Sequence, residues 1–272
     1  MSKISVLLSL YKMENALYFD EAMQSIWFDQ KLKPDQVVLV IDGPITDPLQ
    51  AVVDNWVSVL EDKINVIKIP INKGLANALK VGLTHCKYDF IARMDTDDIS
   101  LQERFCCQKE YLMSHADVDV VGSMINEIDE SGVIFKKDIS LPLSHNELFQ
   151  FFSTRDPLFH PTVMFRKTFF DKAGSYESII PLAEDTHLWY KGFKNNCVFA
   201  NIPNTLLNFR RSSGFYKRRS DRLKAFNLLS FRISVINKEL KYGLGSNIFA
   251  FLYFLMAFAP GFLKKLLYNF FR

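Results

Sequence analysis

The sequence predicts an α/β protein built on a doubly wound layer of strands and helices, and two observations support this. Short, nearly continuous apolar runs, such as Ile4–Leu10 and Gln36–Ile41, are typical of strands buried on both faces of a parallel sheet. Between these runs, residues 15–28 carry apolar side chains at helical spacing. Strands and helices that alternate along a chain indicate a sheet flanked by helices.

The individual elements follow from local signals. Asn15 is a suitable N-cap for the first helix, and Pro34 breaks the chain before the second strand. The remaining expected elements are a helix near 48–60, a strand Ile64–Ile69, a helix near 74–85, a strand Tyr88–Met94, a helix Leu101–Met113, short strands near 118–137 and a mixed region to 210.

Composition narrows the class of protein. With 272 residues, of which 49% are hydrophobic and 23% charged, the chain can fold around a sizeable core and is not mainly disordered. A net charge of +3 does not by itself imply binding to nucleic acid. The four cysteines form no Cys-x-x-Cys and are expected to be reduced thiols of a cytoplasmic protein. The first apolar run is too short for a signal peptide and is interpreted as a buried strand.

Polar groups follow three of the expected strands. Tyr11, Asp42 and Asp95 each stand where such a strand ends. Ligands of doubly wound sheets bind beyond the carboxyl ends of the strands, so these side chains are expected to line one crevice.

The acidic segment Asp95-Thr96-Asp97-Asp98 is the first candidate site. Asp95 and Asp97 lie on the same side of an extended segment, and hard carboxylate oxygens of this kind suit Mg²⁺ or Mn²⁺. The alternative is a solvated acidic turn in which Asp98 caps the next helix.

Asn72-Lys73-Gly74 opens the helix before that segment. Asn72 can cap the helix, Gly74 permits close backbone approach, and Lys73 offers a positive charge to phosphate. An ordinary helix start explains the same residues. No Gly-x-Gly-x-x-Gly follows the first strand, which argues against a nicotinamide or flavin enzyme.

Two acids before an expected helix form the second candidate site. Asp185 is a candidate general base, since a carboxylate with a reference pKa of ~3.9 is ionised at neutral pH. The alternative is that Glu184 and Asp185 only stabilise the helix dipole. His187 is a rival base, and His160 is either a substrate contact or a structural residue.

Together these segments resemble the inverting family-2 glycosyltransferases of GT-A fold, especially bacterial enzymes that build O-antigen and exopolysaccharide repeats. The similarity covers roughly residues 3–210. It rests on the segments 5–11, 40–43, 72–75, 94–98, 160–166 and 184–189. It implies a catalytic domain over 1–210, with a Rossmann-like nucleotide-sugar half (about 1–100) and an acceptor half (about 101–210).

The resemblance also implies roles on the donor side. Asp42 meets the nucleobase, with Tyr11 stacked near it. Asp95 lies by the ribose and the metal, and Asp97 is the chief ligand of Mn²⁺ or Mg²⁺. The donor of this group is usually a uridine diphosphate sugar.

On the acceptor side, Asp185 is the implied base and Glu184 places it. Relatives often carry Arg-x-His after the last core strand, where this chain has Arg210-Arg211-Ser212, so Arg210 is expected to substitute electrostatically. The implied reaction moves a hexose, with galactose or glucose favoured, to a hydroxyl of a lipid-pyrophosphate-linked saccharide in a β-linkage.

The C-terminal part differs in composition. Residues 211–243 are expected to form a basic helical segment and 244–272 an amphipathic tail. The uncharged run Ile248–Phe258 is shorter than the ~20 residues of a spanning helix, and Lys264 and Lys265 follow it. This pattern predicts peripheral association with the inner face of the cytoplasmic membrane. Packing on the catalytic domain or an oligomer contact is the alternative.

Two other classes of protein are alternatives to a glycosyltransferase. The bases between 210 and 224, interleaved with aromatic residues, suggest a nucleic-acid-binding protein. The acidic crevice repels phosphate backbones, so no nucleic-acid partner is expected. A noncatalytic scaffold is the other class, and the presence of Asp97 and Asp185 argues against it.

Overall fold

The computed structural model describes residues 2–179, 183–211, 222–256 and 258. Its strands are β1 (Ile4–Leu10), β2 (Gln36–Asp42), β3 (Ile64–Ile69), β4 (Phe90–Arg93), β5 (Ile99–Ser100), β6 (Val120–Ile128), β7 (Ile134–Ile139), β8 (Met164–Arg166) and β9 (Phe199–Arg210). Its α-helices are α1 (Ala16–Trp27), α2 (Asp47–Leu60), α3 (Leu75–Leu83), α4 (Arg104–Ser114), α5 (His145–Phe152), α6 (Thr168–Ala173), α7 (Glu184–Lys194), α8 (Arg222–Phe231), α9 (Asn237–Glu239) and α10 (Leu244–Met256). Single helical turns lie at Glu61–Lys63 and His160–Thr162, and a π-helical turn at Arg232–Ile236 joins α8 to α9.

The N-terminal half is the predicted parallel layer. Strands β3, β2, β1 and β4 lie side by side in that order, and every neighbouring pair among them is parallel. The predicted cap of α1 is confirmed, because the Asn15 side chain accepts a hydrogen bond from the backbone N–H of Leu17 at 2.8 Å. The alternation of buried strands and amphipathic helices therefore gives the expected α/β architecture.

The sheet continues beyond β4 with mixed directions. Strand β8 is antiparallel to both β4 and β6, whereas β6 and β9 are parallel to each other. Strand β7 pairs with β6, and the short β5 pairs antiparallel with β9. This pairing brings β9, late in the chain, against the segment that follows β4.

Alternate residues of the central strands supply two cores. Val6 and Leu8 of β1 face a cluster that includes α1, α2 and α4, and Leu7 faces a second cluster that includes α3, α5, α6 and α7. Alternation along a strand sends successive side chains to opposite faces, so both faces of the sheet are covered.

The helices after residue 222 pack on the second core through only some of their side chains. Ile236 is fully buried, and the Tyr242 hydroxyl donates a hydrogen bond to the carbonyl of Phe149. On α10, by contrast, Leu244 is 74% exposed and Phe251 is 50% exposed. Residues 212–221 of the predicted basic segment 211–243, and most of the tail beyond Met256, lie outside the described residues. Within the described part of the chain, no helix is long and apolar enough to cross a membrane.

Candidate active site

The edge of the sheet that is predicted to hold the crevice is formed by the carboxyl ends of β1, β2 and β4. Leu10 is in register with Ile41, and Leu7 is in register with Arg93. Tyr11, Asp42 and Asp95 therefore follow neighbouring parallel strands at one edge of the sheet. The expectation that these strand ends meet is confirmed.

Asp42 connects the end of β2 to the loop before α3 through hydrogen bonds. Its Oδ1 accepts a hydrogen bond from the N–H of Lys73 at 2.9 Å, and its Oδ2 accepts one from the N–H of Gly74 at 2.8 Å. The Asn72 amide donates to the Asp42 carbonyl at 3.0 Å. The expectation that Asn72 caps the next helix is wrong, because the N-cap of α3 is Gly74, at φ +87°, and no side chain caps it. Lys73 itself is exposed beside this turn.

Gly43 permits the close approach of the same two segments. A Cβ at this position would lie 2.7 Å from the backbone nitrogen of Asn72, and the residue has a φ of +84°. A glycine is required on both counts. The contact between these two segments therefore depends on the absence of a side chain at Gly43 as well as on the hydrogen bonds of Asp42.

Three carboxylates converge after β4. Oxygens of Asp95, Asp97 and Asp98 all lie within 4.8 Å of one another. Asp95 and Asp97 are half-buried, whereas Asp98 is fully buried. Burial, with the negative charges of Asp97 and Asp95, raises the pKa of Asp98 well above its usual range. A divalent cation offsets such repulsion, and hard oxygen donors at this spacing fit Mn²⁺ or Mg²⁺.

Asp98 is part of this cluster and not a helix cap. Helix α4 begins at Arg104 with Glu103 as its N-cap, so the alternative role predicted for Asp98 is wrong. Its Oδ1 accepts a hydrogen bond from the N–H of Arg210 at 2.9 Å. Among the described residues, its buried Oδ2 has no hydrogen-bond partner. An orphaned buried oxygen beside two further carboxylates is the donor set that a metal ion satisfies.

Arg93 was not among the site residues predicted from the sequence, and its side chain pairs with that of Asp95. The guanidinium is buried and forms a forked ion pair with Asp95, with Nη1 lying 3.0 Å from Oδ2. Its positive charge also acts on Glu184. A charged residue inside an otherwise apolar buried strand was the available signal, since such a charge is rarely buried unless it is paired.

Arg210 supports the acidic loop through the main chain. Its Nε donates to the carbonyl of Asp97 at 2.8 Å, and its Nη1 donates to the carbonyls of Asp129 and Glu130 at 3.3 and 3.2 Å. Its Nη2 pairs with Glu21. The side chain is therefore engaged within the protein and supports the acidic loop. The electrostatic role inferred for Arg210 stays a prediction.

Glu184 and Asp185 occupy the first turn of α7, as the sequence indicated. Asp185 Oδ1 accepts a hydrogen bond from the N–H of Thr186 at 2.8 Å. Burial and the adjacent charge of Asp185 raise the pKa of Glu184 to about 7. The charges of Arg93, Asp185, Glu184 and Asp95 all act on the buried phenol of Tyr176, so both acidic groups lie near this residue.

The two candidate histidines are placed differently. His160 Nε2 lies 2.7 Å from the Tyr176 hydroxyl, and its ring packs edge-on against Trp189. Burial and the charge of Arg93 hold its pKa well below the usual range, so it is a neutral, structural support. His187 packs against Phe231, and the charges that act on its ring are those of Glu177 and Lys191.

Asp156 is a further acid that sequence reasoning missed. The Thr186 hydroxyl lies 2.9 Å from both of its oxygens, and Arg232 Nη2 lies 3.3 Å from its Oδ1. Burial and the charge of Asp185 raise the pKa of Asp156 to about 6. An Asp in a loop has no spacing signal of its own, so only the fold could reveal this neighbour.

Comparison with known proteins identifies related chains. Residues 11–174 match the model of Glycosyl transferase family 2. The amylovoran biosynthesis glycosyltransferase AmsE of Erwinia amylovora is 35% identical over 252 residues, which are 93% of this chain and 91% of that protein. The UDP-Gal:alpha-D-GlcNAc-diphosphoundecaprenol beta-1,3-galactosyltransferase of Escherichia coli is 34% identical over 221 residues, 80% of this chain and 77% of that one. The mannosyltransferase PcManGT of Pyrobaculum calidifontis, solved with GDP-Man and Mn²⁺, superposes with a TM-score of 0.62 at 16% identity, covering 96% of this chain and 76% of that one.

Proposed function

The chain belongs to glycosyl transferase family 2 and has the GT-A fold, and from this premise we propose that it transfers a hexose from a UDP-sugar to a lipid-pyrophosphate-linked saccharide. Galactose or glucose is the favoured hexose. The product is a β-linked unit of an O-antigen or exopolysaccharide repeat. The observation that carries the proposal is the cluster of Asp95, Asp97 and Asp98 at the strand edge, with Asp185 and Asp95 both near enough to act on the buried Tyr176.

Asp95 and Asp97 are the proposed ligands of Mn²⁺ or Mg²⁺, and the free oxygen of Asp98 faces the same cluster. A bound divalent cation neutralises the diphosphate and makes it a better leaving group. Arg93 balances the charge of Asp95 and fixes its orientation. The Mn²⁺ in the PcManGT structure supports a divalent ion in this fold.

Asp42, Tyr11 and Lys73 form the proposed nucleotide side. Each Asp42 oxygen accepts one backbone N–H and keeps a second acceptor position, which suits a donor on the base ring. Tyr11 is half-buried at the end of β1, next to β2, where a base can stack. Lys73 is exposed on the turn that Asp42 holds and is proposed to meet a phosphate.

Asp185 is the proposed base. It takes the proton of the acceptor hydroxyl while that oxygen attacks the anomeric carbon from the face opposite the diphosphate. The bond to the diphosphate oxygen breaks through an oxocarbenium-like state, as in glycoside hydrolysis. A single displacement inverts the anomeric centre, so an α-linked donor gives a β-linkage.

The proposed acceptor and location follow from relatives and from α10. The E. coli relative, by its name, acts on a diphosphoundecaprenol-linked GlcNAc and forms a beta-1,3 linkage. Several large apolar side chains of the uncharged helix α10 are exposed, namely Leu244, Ile248, Phe251, Leu252 and Leu255. We propose that this helix lies in the interface of the inner face of the cytoplasmic membrane, where the lipid-linked acceptor resides. The enzyme is then a cytoplasmic, peripheral membrane protein.

The decisive experiment measures transfer from radiolabelled UDP-sugars to synthetic lipid-pyrophosphate acceptors, with Mn²⁺, with Mg²⁺ and with a chelator. We expect one UDP-hexose to support metal-dependent transfer, and proton NMR of the product to show a β-linkage. An α-linkage would overturn the inverting mechanism. Equal rates in chelator would overturn the metal assignment, and absence of transfer from every UDP-sugar would overturn the donor class.

A further inference from the structure

The loop before the His160 turn carries an acid that contacts the base-bearing helix. Asp156 receives the Thr186 hydroxyl at 2.9 Å on both of its oxygens. Thr186 immediately follows Asp185, and its backbone N–H donates to the Asp185 carboxylate at 2.8 Å. One residue thus joins the two carboxylates, through its side chain to Asp156 and through its main chain to Asp185.

The C-terminal helices hold Asp156 from its other side. Arg232 is buried, and its Nη1 donates to the carbonyl of Phe152 at 3.0 Å, while its Nη2 pairs with Asp156. Its guanidinium also lies over the Phe152 ring, 5.3 Å from the centroid. Arg232 opens the π-helical turn between α8 and α9, and π-helical turns are frequent at functional sites.

We propose that Asp156 is a positioning residue for transfer: it fixes, through Thr186, the first turn of α7, and Arg232 holds it there. The proposal rests on Asp185 being the base. The segment after residue 222 then has a second function besides membrane contact, because its Arg232 side chain holds Asp156 in place.

A purely structural role does not account for the charge of Asp156. Its carboxylate lies partly buried, and the charge of Asp185 acts unfavourably on its ionised form. A neutral acceptor such as Asn could receive the Thr186 hydroxyl without that repulsion. The carboxylate is instead paired with a buried guanidinium, and such pairs hold a geometry that a neutral contact holds less firmly.

The test compares Asp156→Asn and Thr186→Val with Thr186→Ser, which retains the hydroxyl. We expect the first two to lower kcat by about 10–10²-fold, because small displacements of a catalytic group have costs of this size. Donor KM and Mn²⁺ affinity should stay within about twofold, since the donor ligands lie on other elements. Thr186→Ser should restore most of kcat, and the double variant should be no slower than the slower single variant.

Glu239→Gln is the matched control. Glu239 on α9 accepts a hydrogen bond from Tyr190 and pairs with Lys194 at 2.6 Å, so it also joins α7 to the C-terminal helices, away from Asp185. Wild-type kcat in Asp156→Asn and Thr186→Val would overturn the proposal, as would an equal loss in Glu239→Gln. If Asp156→Asn does not fold, the comparison of Thr186→Val with Thr186→Ser tests the proposal. Asp185→Asn distinguishes failure of the proposed base from failure of this proposal. Wild-type activity of Asp185→Asn would refute the role of Asp185 as the base. An inactive Asp185→Asn together with a fully active Asp156→Asn would refute only the positioning role of Asp156.

Discussion

The side chain of Arg210 donates a hydrogen bond to the main-chain carbonyl of Asp97, 2.8 Å away. The backbone N–H of the same arginine donates to the carboxylate of Asp98. The acidic loop after β4 is therefore held from the end of β9 at the main chain of Asp97 and at the side chain of Asp98. The hydrogen bond to Asp97 does not involve its carboxylate, so this side chain can change without loss of that bond.

Asp97→Asn follows directly from this arrangement. The substitution removes a ligand charge, so Mn²⁺ affinity should fall and most transfer should be lost, while the melting temperature without metal stays close to wild type. Calorimetric Mn²⁺ titration and the transfer assay measure both effects. Asp117→Asn, at an exposed acid on another loop, is the control. A variant that keeps the wild-type rate at saturating donor in chelator shows that the metal assignment is wrong.

Asp185→Asn tests the base with a nearly isosteric change. Transfer should drop by about 10²–10⁴-fold, the usual contribution of general-base catalysis, with donor binding largely kept. His187→Ala should have a smaller effect, because its ring packs against Phe231 and interacts with Glu177 and Lys191. Single-turnover rates at saturating UDP-sugar provide the comparison. The reverse order of effects would assign the base role to His187.

Glu184 makes stability depend on pH in a defined direction. Its pKa is raised from 4.5 to about 7 in the folded protein, chiefly by burial and then by Asp185. The folded state therefore binds the proton more tightly than the unfolded state, and stability falls as pH rises from about 4.5 to about 7.

We accordingly expect Glu184→Gln to be more stable than wild type at pH 8, by on the order of 1–3 kcal/mol, and to gain much less at pH 4. Urea unfolding at the two pH values measures this difference. The pKa of Asp156 is also raised, but Asp156 is present in both proteins, so its contribution to the pH dependence of stability cancels in the comparison. An equal gain at both pH values would show that the carboxyl group is not the cause.

The membrane role of α10 is tested by a chain that ends at Gly243. It should remain folded, because on α10 the buried contacts are few, chiefly Ala250 and the Asn247 amide paired with Asn237. It should still use a water-soluble acceptor analogue but lose activity on long-chain lipid acceptors. Flotation with anionic liposomes should recover the full-length protein and not the truncated one.

A point variant refines this test. Phe251→Glu places a charge on the exposed face of α10, and Val57→Glu places one on the exposed face of α2. Only the first should weaken flotation. Equal flotation of full-length and truncated proteins would refute the proposed membrane contact.

The elements of the N-terminal half were predictable because their signals are local. Apolar runs identify β1 and β2, and the Asn15 cap defines the start of α1. The meeting of Asp42 and Asp95 at one edge also followed, because parallel strands place their carboxyl ends together. The mixed direction of the strands after β4 could not be predicted, since β6, β8 and β9 pair across long stretches of sequence.

The parts of the candidate site that were not predicted depend on contacts between distant residues. Asp98 belonged to the predicted acidic segment, with a helix cap as the alternative, and the return of β9 adds the hydrogen bond from the Arg210 N–H to its carboxylate. Asp156 gained its role from Thr186 and Arg232, which lie far from it in the sequence. Asn72 had the right residue type for a cap, but its amide bonds the Asp42 carbonyl instead.

The pairing of β5 with β9 has a consequence for the order in which the protein matures on the ribosome. Ile99 and Ser100 pair with Asn208 and Leu207, and Arg210 secures the acidic loop. A nascent chain that has not yet exposed β9 lacks both restraints, although the first four parallel strands are already complete. Asp95, Asp97 and Asp98 are therefore synthesised long before the strand that secures their loop.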